Sequence, residues 1–293
     1  MYEKVRQCPS CGGDKFINEL ICTDHTVSKE SFALTKCEQC ELLITNPRPD
    51  KDNIGKYYES DNYISHTNKS NNLTHLLYKQ VRRITFAHKY KIINDLSKNK
   101  SILDFGCGTG DFLNYCQSHS WTIAGIEPNK QARDKAINQN GSNIYSDLSQ
   151  LPTNSKFDII TLWHVLEHIP DPKSLINELK VYLNVKGKIL IALPNIDSYD
   201  CNHFKESWAG YDVPRHLTHF NQKTFQHLIR NCKLKIIKII PMKFDAFYIS
   251  ILSNKIKSGS SNYMKSFITG WKSNRWASNN DNNYSSLLYI LKK

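Results

Sequence analysis

The sequence predicts an α/β protein, a doubly wound sheet preceded by a small metal-binding ribbon. Three observations predict it. Apolar strand-length segments alternate with helical patterns over residues 99–293; one of them, Ile102-Leu103-Asp104-Phe105, runs directly into Gly106-Cys107-Gly108-Thr109-Gly110; and two Cys-x-x-Cys pairs lie within the first 40 residues. The 293 residues are 40% hydrophobic and 23% charged, an ordinary globular mixture that excludes collagenous, coiled-coil and wholly disordered classes. No apolar run reaches the ~18 residues of a membrane span. The start, Met1-Tyr2-Glu3-Lys4-Val5-Arg6-Gln7, carries no apolar leader, so a cytoplasmic location is expected.

Residues 1–50 read as the ribbon. Cys8-Pro9-Ser10-Cys11-Gly12 and Cys37-Glu38-Gln39-Cys40 place two thiolates on each of two short turns. Four thiolates can close a tetrahedral shell around Zn²⁺, and a closed shell points to a structural metal rather than a catalytic one. Cys22 or His25 could replace one ligand, and a redox dithiol is the alternative reading. Nine cysteines, an odd number with five in the first 40 residues, fit a secreted disulfide framework poorly. Cys107, Cys116, Cys201 and Cys232 are isolated and expected to pack as small hydrophobes.

Pro47 and Pro49 stop the extended stretch from Leu42 and set a domain edge near residue 50. Residues 51–98 then form a linker and helical cap for substrate and cofactor. This cap contains Tyr57, Tyr58 and Tyr63, a polar stretch from Ser65 to Asn72, and a helix from about Leu73 to Leu96, whose apolar residues recur at three- and four-residue spacing. Residues 99–293 follow as the main domain. Its strands are expected at Ser101–Phe105, Thr122–Glu127, Asn143–Tyr145, Phe157–Leu162, Gly187–Leu193, Leu234–Pro241 and Leu287–Lys292. A Ser/Asn-rich segment at about 257–283, with Trp271 and Trp276, interrupts the alternation as an insertion.

Glycines at alternate positions after a strand let the backbone pass close to a ligand, and the helix that follows offers unpaired N–H groups. Three glycines alone could equally be a structural turn. Glu127, ending the next strand, adds a carboxylate able to accept from both hydroxyls of a ribose. Asp147, after the third strand, is placed to hold an adenine amino group with Leu148 against the ring; a surface turn is its other reading.

Asp104-Phe105-Gly106-Cys107-Gly108-Thr109-Gly110, the strand-ending Glu127 and the segment Phe157 to His168 together resemble the signature of class I S-adenosylmethionine-dependent methyltransferases. The resemblance covers about residues 75–241 and the last strand. It implies a seven-stranded Rossmann-like sheet with an antiparallel last strand. It also implies S-adenosylmethionine held by Asp104 at its methionine end, by Gly106, Gly108 and Gly110 beneath it, and by Glu127 at the ribose. The four-cysteine module, Asn46-Pro47-Arg48-Pro49 and Pro214-Arg215-His216-Leu217-Thr218-His219-Phe220 are similar to a bacterial subgroup with a zinc-binding N-terminus, some of whose members methylate nucleotide-linked sugars.

A sulfonium methyl is already electrophilic, so the protein must align a nucleophile and, for a hydroxyl or carbon acid, remove a proton. Trp163 offers an aromatic face to the cation. The loop carrying Tyr211, Asp212, His216 and His219 supplies the base, with His216, His219 and Tyr211 as candidates and Arg215 as a phosphate clamp. His164-Val165-Leu166-Glu167-His168 formally matches a zinc-peptidase motif, but Pro170 and Pro172 leave no room for the long helix that chemistry requires.

The net charge of +12, from 39 basic and 27 acidic residues, favours anionic partners. A small polar metabolite, phosphorylated or nucleotide-linked as in surface polysaccharide or secondary metabolism, is the expected acceptor. RNA is the second substrate class, since a ribbon beside a basic chain is a common nucleic-acid reader, and a non-catalytic binding module is the third reading. No membrane span is expected.

Overall fold

The computed structural model describes residues 1–58, 73–260 and 262–293, with the backbone alone over 73–83. Tyr63 and the polar stretch from Ser65 to Asn72 lie outside the described residues. Two units form. The first takes the described residues up to Tyr58 together with Leu166–Ile176 and Ala192–Tyr289; the second takes those from Leu73 to Val165, Asn177–Ile191 and Ile290–Lys293.

In the first unit the N-terminal segment folds as strands β1 (Tyr2–Glu3), β2 (Phe16–Thr23), β3 (Ser31–Cys37), β4 (Leu43–Thr45) and β5 (Arg48–Pro49). β2 and β3 form an antiparallel hairpin from Phe16 opposite Cys37 to Thr23 opposite Ser31, with a bulge between Asn18 and Leu20. Asp24 makes the turn: its carboxylate accepts the backbone N–H groups of Thr26, Val27 and Ser28 at 2.9, 3.2 and 2.8 Å. β4 pairs with β3, and β11 (Thr218–His219), far downstream in sequence, pairs antiparallel with β4. Pro49 sits in a two-residue strand against Tyr2, where its missing N–H costs no ladder bond of a central strand.

This unit is closed by a buried Arg215, only 1% exposed. Its Nη2 donates to Asp24 at 3.1 Å and to Asp212 at 2.6 Å, and its Nη1 donates to the Tyr57 carbonyl at 2.9 Å. Nε also donates to both Asp212 carboxylate oxygens at 3.0 Å, and two carboxylates facing one guanidinium make the buried charge tolerable. Beside it, Phe32, Leu34, Leu43, Trp208 and Val213 pack as one apolar cluster.

The second unit carries β6 (Ser101–Phe105), β7 (Thr122–Ile126), β8 (Ile144–Tyr145), β9 (Phe157–Trp163) and the first residues of β10 (Leu183–Pro194). β6 pairs parallel with both β7 and β9, and β7 parallel with β8. With β12 (Lys235–Pro241) and β13 (Ser286–Lys292) these strands form a seven-stranded mixed sheet in the order β12-β13-β10-β9-β6-β7-β8. Ile102, Leu103, Ile159 and Ile160 are wholly buried, which explains the unbroken apolar runs of these segments. The strand order reverses between β6 and β9, the crevice where open sheets of this kind take ligands. The Leu73–Leu96 helix forms as its spacing predicts. The insertion is two helices, Asp245–Ser258 and Tyr263–Ala277, and begins earlier than the Ser/Asn-rich composition indicates.

Candidate functional site

β6 delivers the chain into Gly106, Gly108 and Gly110, whose φ angles of +74°, +56° and +77° all lie in the left-handed region. At Gly110 a Cβ would strike Ala136 Cβ at 2.9 Å and the Asn140 amide, so the loop is pressed onto the helix Lys130–Asn140. Asn140 Nδ2 locks it there by donating to the Gly110 carbonyl at 3.1 Å. At Gly108 a Cβ would meet nothing within 4 Å, so the loop's outer side borders open space. Glu127 reaches back to this point: one carboxylate oxygen accepts the Gly108 N–H at 2.8 Å and the other accepts the Asn129 N–H at 2.8 Å. Burial holds the Glu127 carboxyl above its ordinary range despite those two donors.

Asp104, one residue before the end of β6, is buried and accepts from Thr161 Oγ1 at 2.6 Å. Burial raises its carboxyl to about 6, against the opposing pull of the Thr161 hydroxyl and the Lys89 ammonium. Trp163 ends β9 with its ring edge-on to Phe112 at 5.7 Å between centroids. Lys89 Nζ stands 4.1 Å from the Trp163 ring centroid, a cation already seated on the face assigned to a sulfonium. Lys89 has no signature in the sequence, because a lysine on a polar-faced helix carries no local signal. Asp147 caps the short turn Leu148–Gln150, accepting from Ser149 N at 3.0 Å and Ser146 Oγ at 2.8 Å, and it stays exposed.

The base candidates lie together in the first unit. Tyr211, His216 and His219 share one aromatic cluster, with Tyr211–His219 and His216–His219 centroids 5.6 and 6.4 Å apart. Thr45 Oγ1 donates to the His216 carbonyl at 2.7 Å, so His219 Nε2, 3.0 Å from that hydroxyl, carries a proton and donates to it. Burial drives His219 well below the usual imidazole range and pushes the Tyr211 phenol, 3.3 Å from Cys201 Sγ, upward. His216 donates from Nδ1 to the Gly210 carbonyl at 2.9 Å and turns Nε2 toward Glu167 Oε1, 4.0 Å away. Glu167, His216, Thr218 and His219 line a cavity of about 10 Å³, room for one water.

His168 joins this cluster, with Nδ1 3.0 Å from both the Arg215 carbonyl and Tyr58 Oη, and burial lowers it to about 4. Glu167, His168 and Tyr58 were not assigned to the base site from sequence. His164 adopts φ +56° and only a three-residue turn, Leu166–His168, follows, so the peptidase motif does not form on one helix. Arg215 is consumed by Asp24 and Asp212 and is buried, an internal ion pair rather than a clamp open to a phosphate.

At the ribbon, Cys8, Cys11, Cys37 and Cys40 bring four Sγ atoms within 4.8 Å of one another. Cys8–Cys40 and Cys11–Cys37 are 3.5 and 3.6 Å apart, close to the ~3.8 Å edge of a tetrahedron with Zn–S bonds of about 2.3 Å. The Gly13 N–H points at Cys11 Sγ from 3.4 Å, a donor suited to thiolate charge. The set is compatible with zinc. Cys22 is instead buried against Phe32 and Trp208, and His25 lies on the exposed turn after β2, so neither enters it. Of the four isolated cysteines, Cys116, Cys201 and Cys232 are buried and Cys107 is half-buried in the glycine loop.

A glycine loop at the strand-order reversal, met by a strand-end carboxylate, defines a methyltransferase-type cofactor fold. A family profile described as a methyltransferase domain matches residues 77–239, more than half of the chain, and the chain belongs to that family. It is 26% identical over 185 residues to the ubiquinone biosynthesis O-methyltransferase of Aeromonas salmonicida, spanning 58% of this chain and 76% of that protein. The corresponding enzyme of Coxiella burnetii is 30% identical over 105 residues, and the chain spans 45% of its length. The geranyl diphosphate C-methyltransferase of Streptomyces coelicolor A3(2), solved with Mg²⁺, geranyl diphosphate and S-adenosyl-L-homocysteine, shares the fold at a TM-score of 0.50 and 12% identity. That likeness covers 72% of this chain and 80% of the solved one. Among the described residues no helix is long and apolar enough to cross a membrane.

Proposed function

We propose that this chain transfers a methyl group from S-adenosylmethionine to a hydroxyl of a small polar metabolite, with nucleotide-linked sugars as the substrate class. The observation that carries it is the pairing at Gly108: open space where any side chain would stand, beside a carboxylate already oriented by two backbone donors. In this reading Asp104 holds the methionine end, Gly106, Gly108 and Gly110 pass beneath the thioether, Glu127 takes the ribose hydroxyls and Asp147 the adenine amino group, while the Trp163 face is held by Lys89. The cofactor supplies an electrophilic sulfonium methyl. Relatives named O-methyltransferases support oxygen as the acceptor atom.

An oxygen nucleophile must lose its proton. His216 is the candidate whose Nδ1 is anchored on a carbonyl, which leaves Nε2 to accept it. Glu167 stabilises the imidazolium formed, and His219 and Tyr211 hold the ring in place. The four cysteines hold a structural Zn²⁺ that fixes the ribbon.

The test is methyl-tritiated S-adenosylmethionine offered with a panel of nucleotide sugars, with His216→Gln as the paired variant. Label is expected in a sugar hydroxyl, with cofactor binding retained and turnover lost in the variant. Well-folded protein that binds no S-adenosylmethionine at millimolar concentration would overturn the reading.

A further inference from the structure

The helical pair Asp245–Ser258 and Tyr263–Ala277 is built with its residue types reversed relative to an ordinary surface hairpin. Its inner face is small and polar. Ala246, Ser250, Ser253 and Asn254 of one helix, and Ser266, Thr269, Gly270 and Ser273 of the other, are buried. Gly270 lets the helices approach closely, since a Cβ there would stand 2.9 Å from the Phe247 backbone. Asn254 Nδ2 donates to Ser266 Oγ at 2.9 Å across the pair. Small residues and interhelical hydrogen bonds are how helices associate when apolar burial does not drive them together.

The large apolar side chains divide: Ile249 packs on the core and Phe247 against Gly270, while five of the second helix point outward. Tyr263, Met264, Phe267, Ile268 and Trp271 form one stripe on the second helix, opposite its buried face, with Met264 76%, Phe267 63% and Trp271 49% exposed. Phe244, which precedes the first helix, and Tyr248 within it are also exposed. Cations flank the stripe. From Lys243 to Ala277 the chain carries six basic residues and a single acidic one, Asp245, although acidic residues are common elsewhere in it. Lys265 and Lys272 are exposed on the same helix as the stripe, and the Arg275 guanidinium lies 5.4 Å from the Trp271 ring centroid.

We infer that this hairpin docks on an anionic lipid bilayer surface, with its aromatic stripe in the headgroup–acyl boundary and its lysines on lipid phosphates. The charge bias selects a bilayer over a second copy of the chain. A self-contact would oppose like charges, whereas a phosphatidylglycerol surface neutralises them and accepts Trp and Tyr at its interface. The helices are not apolar enough to cross the bilayer, so the association is peripheral. The inference stands apart from the methyl-transfer reading and holds whatever the acceptor is.

Co-sedimentation of the full chain with vesicles tests it, using phosphatidylcholine alone and phosphatidylcholine mixed with phosphatidylglycerol. The wild type is expected to partition onto the anionic vesicles only, and added salt is expected to weaken the binding. A Met264→Ser/Phe267→Ser/Trp271→Ser variant and a Lys265→Glu/Lys272→Glu variant are each expected to lose about tenfold or more of that partitioning with unchanged melting, since every site is exposed. Failure of the wild type to sediment with either vesicle would overturn the inference, as would undiminished sedimentation of both variants. A concentration-dependent dimer that the serine variant dissolves would instead assign the face to a second copy and overturn it equally.

Discussion

Gly108 carries the site at the scale of a single residue. Valine there would adopt φ +56° against a preference of roughly 1–2 kcal/mol, yet it would meet no neighbour. Gly108→Val is therefore expected to lower the melting temperature by only about a few degrees while abolishing cofactor retention, read by calorimetry and binding on the same sample. Asp104 makes a prediction in pH. Its carboxyl ionises at about 6, above the unfolded range, so ionised Asp104 is available to a cofactor ammonium only above that value. Affinity for S-adenosylhomocysteine is expected to fall as pH drops through about 6 in the wild type, and to be low and flat there in Asp104→Asn. For stability the sign is opposite, because the native state holds the proton more tightly and loses stability as pH rises from about 4 to 6. Asp24 behaves conversely. Burial pulls its carboxyl up, but the Ser28 N–H and Arg215 bring it down to about 2. Its stabilisation is complete above about 4 and is lost as pH falls toward 2. Asp24→Asn is expected to cost about 3 kcal/mol at neutral pH, with the difference from wild type closing in acid, as followed by denaturant unfolding.

Among the elements, inner strands such as β6 and β9 were legible because burial on both faces writes a continuous apolar run, as in Ile102–Phe105 and Phe157–Leu162, whereas β12, exposed or half-buried along its length, was legible from its β-branched Ile236-Ile237-Lys238-Ile239-Ile240. The cysteine turns were legible because two Cys-x-x-Cys pairs on short turns leave a fixed spacing in the sequence, and the fold brings their four Sγ atoms together. β11 was not: Thr218 and His219 pair with β4 to complete a sheet begun at Phe16, and pairing at that distance leaves no local periodicity. The role of Arg215 was hidden for the same reason, since Asp24 lies far from it in sequence. The four-cysteine cluster, with the Zn²⁺ proposed for it, yields its own prediction. Chelation, or Cys37→Ser, is expected to unravel the β2–β3–β4 ribbon, seen as lost β-sheet signal and released metal in a thiol-sensitive zinc assay, because structural zinc binding is coupled to folding.

For the whole molecule, the sequence implied consecutive domains, a ribbon followed by a cap and then the sheet. The first unit gathers the N-terminal strands with residues 166–176 and 192–289, so the chain passes between units several times. The composition-based insertion is the basic, aromatic-faced helical hairpin, which the Ser/Asn content described without revealing its reversed packing. The glycine loop, Asp104 and Glu127 were legible because strand, loop and carboxylate follow one another along the chain. The histidine cluster was only half so, because Thr45, Tyr58 and Glu167 reach it from separate segments.

Calorimetric titration with S-adenosylhomocysteine, run on the wild type and on Gly108→Val, tests the central claim most directly. Saturable one-site binding by the wild type and none by the variant, both still folded, is the predicted result. Equal heats from the two proteins, or none from a well-folded wild type, would contradict the account.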